Sequence, residues 1–145
     1  FKHINDSFGH AAGDAVLVEV ANRLTDNLRV ADLVARIGGE EFLIAMPDSD
    51  EDAARRTAER LRQVIERTHV DLPGDESRKL RVTLSIGIAL PRPGVSEAPE
   101  TLLDRADRAL YEAKNAGRNR VAMARSGSGT PGITYARPSS AASRP

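Results

Sequence analysis

The chain has 145 residues, 40% of them hydrophobic, which is enough for one compact core and too few for two ordinary domains. Its 21 basic and 21 acidic side chains cancel, so net charge supports neither a nucleic-acid coat nor a membrane-surface protein, and any phosphate recognition must be local. The absence of cysteine removes disulfide and thiolate-metal chemistry, as suits a reducing cytoplasm, and neither a membrane-spanning run nor a signal-peptide pattern is present.

The opening stretch FKHINDSFGHAAGD is dense in polar groups ahead of a helix. From about Ala12 to Leu28, residues Val16, Leu17, Val20, Ala21, Leu24 and Leu28 recur at helical spacing and predict an amphipathic helix. Apolar runs around Leu33 to Ile37 and Phe42 to Met46 flank Gly38 and Gly39, predicting two strands joined by a tight turn. After Pro47, Asp48 and Ser49, the residues Ala54, Ala58, Leu61 and Ile65 mark a second helix, with acids at its start that complement the helix dipole.

Leu80, Val82, Leu84, Ile86, Ile88 and Leu90 alternate with small or polar residues, the period of a strand with one strongly apolar face. A third helix is predicted from near Thr101, carried by Leu102, Leu103, Ala106, Ala109, Leu110 and Ala113, and Gly117 can end it. Val121 to Ala124 reads as a short strand. Beyond Arg125 the segment SGSGTPGITYARPSSAASRP has too few apolar residues to offset its ordering entropy, so residues 126–145 are expected to form a disordered tail. This order predicts an α/β (α+β) domain, a mixed or mostly antiparallel central sheet flanked by helices, not a doubly wound fold.

Two stretches carry chemistry. Gly38-Gly39-Glu40-Glu41-Phe42 sits at the hairpin turn, where glycines permit positive φ and close approach of a ligand. If Glu40 and Glu41 continue a strand they point to opposite faces, and a carboxylate there is a reasonable ligand for Mg²⁺. Taken alone the segment reads more readily as a solvated hairpin tip. In the opening stretch, Asn5 and Asp14 can read a base edge, guanine in particular, or can simply cap helices.

Together FKHINDSFGHAAGD, RVADLVARIGGEEF, SIGIA and ALYEAKNAGRNRV resemble the GGDEF family of diguanylate cyclases, from Phe1 to about Ala124. The resemblance implies a palm-like nucleotidyl-cyclase fold over residues 1–125. It implies that Glu40 binds the metal (Mg²⁺ or Mn²⁺) with Glu41 assisting, both as catalytic residues, and that Gly38 and Gly39 let the backbone approach the nucleotide. By the same resemblance Asn5 and Asp14 contact guanine, Lys2 belongs to the adjoining substrate motif, and Lys114 and Arg118 hold the terminal phosphates of GTP. Those two cations also suit a helix C-terminus whatever they bind.

The implied reaction is a homodimeric one: each domain brings one GTP, and each 3′-hydroxyl attacks the α-phosphate of the other nucleotide, giving cyclic di-GMP and pyrophosphate. Arg29-Val30-Ala31-Asp32 matches the RxxD pattern of the family's inhibitory product site, with Arg60 as a further contributor; an isolated RxxD is usually a surface ion pair. The three histidines, His3, His10 and His69, have no metal-ligand spacing.

The family pattern also places an acidic metal ligand on a strand just before Phe1. A chain without it is expected to be a weak or inactive cyclase by itself, with a sheet edge or core face exposed. An upstream regulatory domain in a longer cytoplasmic parent is implied, with no contact to nucleic acid or membrane by this domain. The alternatives are a catalytically inactive cyclic di-GMP receptor, using Arg29 and Asp32, and a structural dimerisation module.

Overall fold

The computed structural model describes residues 1–72, 74–124 and 132–140. Helices α1 (Lys2–Phe8) and α2 (His10–Asp26) are separated at Gly9, whose φ of 81° only glycine adopts readily and which breaks the helical hydrogen-bond ladder. Strands β1 (Leu33–Arg36) and β2 (Phe42–Met46) form the expected antiparallel hairpin, with Leu33 opposite Ala45 and Arg36 opposite Phe42. Helix α3 (Glu51–Arg67) begins at Asp50, whose carboxylate accepts the Ala53 N–H at 2.7 Å, and Glu51 and Asp52 lie in its first turn.

A second hairpin follows, β3 (His69–Leu72) against the long β4 (Asp75–Ala89), then α4 (Pro99–Asn115), β5 (Val121–Met123) and β6 (Gly132–Ser140). Pro99 stands in the first turn of α4, where its missing N–H costs nothing. The sheet runs β1-β2-β6-β4-β3, antiparallel throughout this path, and β5 pairs parallel with β4.

Apolar alternation decides which face each helix covers. Phe42, Ile44 and Met46 of β2 and Val82, Leu84, Ile86 and Ile88 of β4 share one core with α2 residues Val16, Leu17, Val20 and Leu24 and α3 residues Ala54, Ala58, Leu61 and Ile65. The other face of β4, expected to be the less apolar one, is buried as well. Small residues there let α4 approach, and a Cβ at Gly87 would lie 2.2 Å from the Ala106 carbonyl oxygen.

Several expectations are corrected. The polar opening stretch is itself helical (α1), and β3 had no clear pattern because its four residues alternate over too short a run. The largest correction concerns residues 126–145. Gly132–Ser140 form β6, inserted between β2 and β4, with Ala136 opposite both Phe42 and Ile86. Backbone pairing on both edges, with burial of Thr134, Ala136 and Pro138, stabilises a segment whose apolar content alone would not. Residues 126–131 and 141–145 lie outside the described residues. No helix among the described residues is long and apolar enough to cross a membrane.

Candidate active site

A cleft of about 490 Å³ lies between the α1–α2 corner, the β1–β2 turn and β6, lined by Lys2, Asn5, Asp14, Gly39, Glu40, Glu41 and Arg137 among others. Asn5 is set in place by the absence of a side chain at Gly13: a Cβ there would stand 1.9 Å from Asn5 Oδ1. That oxygen is buried and accepts no hydrogen bond among the described residues. An unmet buried acceptor is costly, and Asn5 carries one at the edge of the cleft.

The β1–β2 connection is braced from within. The Ile37 N–H donates to the Glu41 carbonyl at 2.9 Å, while the Arg36 guanidinium donates to the Gly38 and Gly39 carbonyls at 3.2 and 2.8 Å. Neither Gly38 nor Gly39 is among the residues with positive φ, so the conformational freedom that glycine permits there is not used. What Gly38 provides is space, because a Cβ there would come within 2.8 Å of Glu41 Oε2.

Glu40 and Glu41 precede β2 rather than lying in it, and they do not point to opposite faces. Both reach Arg137 of β6: its Nε lies 2.7 Å from Glu40 Oε1 and its Nη2 lies 3.4 Å from Glu41 Oε1. The Nε contact is an ion pair without a hydrogen bond, the N–H being off the acceptor's direction. Tyr135, also on β6, aims its hydroxyl at Glu41 Oε2 at 3.5 Å, and its pKa is raised by burial and then by the Glu41 charge.

Lys114, near the end of α4, feels the same group. Burial and the nearby Arg137 lower its pKa, against the attraction of Glu41, Asp107 and Glu40. Arg118 lies just beyond the end of α4 in a left-handed conformation (φ 61°), so the two cations stand at the end of that helix, and neither is among the residues that line the cleft.

The residues of the RxxD segment gather elsewhere, at the corner between α2 and β1. The Asp32 carboxylate accepts the Arg29 backbone N–H at 2.9 Å, and the Asp32 N–H returns to the Arg29 carbonyl at 3.0 Å. Arg60 reaches the same corner from α3, donating to the Asn27 carbonyl at 2.6 Å. Of the histidines, His3 bonds Ser7 at 3.0 Å, His69 accepts from Arg81 at 2.9 Å, and His10 borders the cleft.

No group of three or more His, Asp or Glu side chains that could hold a metal ion gathers among the described residues. Two adjacent carboxylates nevertheless fit Mg²⁺, which is commonly bound by one or two protein carboxylates, substrate phosphates and water.

The family model "Diguanylate cyclase, GGDEF domain" matches residues 1–120. The chain belongs to the GGDEF family. This GGDEF domain is 43% identical over 125 residues to Diguanylate cyclase A of Treponema denticola, covering 86% of this chain and 33% of that protein. To Diguanylate cyclase DgcP of Pseudomonas aeruginosa it is 45% identical over 124 residues, covering 86% of this chain and 18% of that one. It thus spans a third or less of the length of these relatives.

Among solved structures, the GGDEF domain of DgcB from Caulobacter crescentus in complex with c-di-GMP superposes with a TM-score of 0.79 at 33% identity, covering 85% of this chain and 71% of that one. The active GGEEF domain of a diguanylate cyclase from Vibrio cholerae gives 0.73 at 31% identity, covering 86% and 76%. The palm-like cyclase fold expected from the motifs is the fold observed.

Sequence reasoning missed Arg36, Tyr135 and Arg137. Arg36 stands two residues before Gly38, and its proximity to the glycines was a usable signal. Tyr135 and Arg137 had none, since their segment was assigned to a tail.

Proposed function

We propose that this GGDEF domain acts as a diguanylate cyclase domain, condensing two GTP molecules into cyclic di-GMP and pyrophosphate across a homodimer. The observation that carries this reading is the convergence on one cleft of an unsatisfied amide oxygen (Asn5), a second base-reading group (Asp14) and two carboxylates (Glu40 and Glu41). Asn5 Oδ1 accepts a guanine N–H, and Asp14 accepts from the same edge. Lys2, Lys114 and Arg118 offer positive charge to phosphate.

Glu40, with Glu41 beside it, would hold Mg²⁺ or Mn²⁺. When bound, such an ion supplies charge neutralisation at the phosphates and acidifies the attacking hydroxyl. The protein's own contribution is positioning: the Arg36 brace holds the turn, and Gly38 leaves room for the Glu41 side chain. Arg29, Asp32 and Arg60 form the inhibitory product site, where the guanidinium groups meet phosphate or guanine and the carboxylate meets a guanine edge. An upstream regulatory domain in a longer cytoplasmic protein completes the picture.

With Glu40 and Glu41 alone offered as metal ligands, the chain by itself should turn over GTP weakly. The test is GTP turnover with Mg²⁺, followed by nucleotide chromatography, on this chain and on a longer form extended upstream, each beside Glu40→Ala and Glu41→Ala variants. Cyclic di-GMP from the longer wild-type form alone supports the cyclase. A folded longer form that binds cyclic di-GMP but makes none replaces the cyclase reading with the receptor reading.

A further inference from the structure

The turn that follows α4 is held against its own backbone preference. Gly117, Arg118 and Asn119 have φ of 113°, 61° and 46°, so two residues with side chains stand in the left-handed region, which persists only where the surroundings fix it. Here they do. The Arg118 N–H donates to the Ala113 carbonyl at 3.0 Å, closing the helix across Gly117, and the Ile86 N–H of β4 donates to the Arg120 carbonyl at 2.9 Å.

Between those ties the Asn119 side chain is committed to α3. Its Oδ1 accepts from Arg62 Nη1 at 2.8 Å, and its Nδ2 donates to Glu66 Oε1 at 2.7 Å. Its backbone N–H donates to Ser85 Oγ, on β4, at 3.2 Å. Arg62 is itself oriented by Glu59 and Glu66, at 2.6 and 2.8 Å. Asn119 is half-buried in this network, whereas Arg118 beside it is exposed, so a fixed backbone carries an open guanidinium. An arginine whose main chain cannot drift loses less freedom on meeting a phosphate.

We propose that Asn119 is a positioning residue, clamped to α3 by Arg62 and Glu66, that sets Arg118 for the terminal phosphates of GTP. The inference rests on the assignment of Arg118 to those phosphates. Asparagine suits the place because it tolerates a left-handed φ and its amide offers Arg62 an acceptor and Glu66 a donor at once.

The test is calorimetric titration of the full chain in Mg²⁺ with GTP and with GMP, which lacks the terminal phosphates. Asn119→Gly keeps the left-handed backbone unstrained and removes only the amide. It should bind GTP about tenfold more weakly, the equivalent of one misplaced hydrogen bond to a charged group, and GMP as the wild type does. Glu66→Ala, which takes one partner from the amide, should lose GTP binding with the same selectivity, and carries the comparison where Asn119→Gly does not fold. In an Arg118→Ala background, which by itself weakens GTP binding, Asn119→Gly should add nothing.

Equal losses for GTP and GMP, or additive losses in the double variant, make Asn119 merely structural and overturn the inference. Unchanged GTP binding by Asn119→Gly, where Arg118→Ala weakens it, does the same and leaves the phosphate assignment standing. Unchanged GTP binding by Arg118→Ala, or none by the wild-type chain, overturns that assignment and the inference with it.

Discussion

A Cβ on Gly87 would lie 2.3 Å from the backbone nitrogen of Leu110, so strand β4 and helix α4 meet backbone to backbone. No side-chain rotation relieves that clash. Gly87→Ala should therefore push α4 off the sheet and destabilise the domain by about 2 kcal/mol or more, as overpacking against rigid neighbours does. Urea unfolding would show it as a lower midpoint at unchanged slope.

Arg105 is buried on α4, with its guanidinium 2.9 Å from Glu97 and donating to the Leu90 carbonyl at 2.8 Å. Glu97→Gln keeps the volume and removes the opposing charge. A loss of about 3 kcal/mol is expected in thermal or urea unfolding, because the cost of keeping the arginine charge out of water is then less well offset.

Glu59 and Glu66 flank Arg62 on α3. Hydrogen bonding to Arg62 lowers the Glu59 pKa, and bonding to Asn119, then to Arg62, lowers that of Glu66. A carboxylate whose folded pKa is depressed contributes stability that is fully present above its unfolded value, about 4.3, and is lost as pH falls through the folded value. Both groups are well solvated, so the effect should be modest. Stability measured from neutral pH downward should decline below about pH 4.3, and Arg62→Gln should flatten that part of the profile.

In the RxxD corner, the carboxylate of Asp32 is held by the backbone N–H of Arg29, not by its side chain. Arg29→Ala therefore leaves the turn intact and removes only the outward guanidinium. Calorimetric titration with cyclic di-GMP should show binding weakened about tenfold or more, with an unchanged unfolding midpoint. Undiminished binding would remove Arg29 from the product site.

Local periodicity determined much of the fold. The apolar spacing of α2, α3 and α4 and the alternation of β4 are short-range patterns, and burial on a shared face is what they encode. The acids of the turn, Asn5 and Asp14 were likewise legible, because four ordered stretches carry the family pattern. Helix α1 and β3 were not, being too short for a period to emerge.

What only the tertiary structure decided is which distant segments meet. The approach of Arg137 to Glu40 and Glu41 joins residues almost a hundred positions apart, through a strand in which Ile133, Thr134 and Tyr135 favour a sheet but Gly132, Pro138 and two serines do not. Its place depends on backbone edges of β2 and β4 that it pairs with, and such long-range pairing cannot be read from the nine residues that supply it.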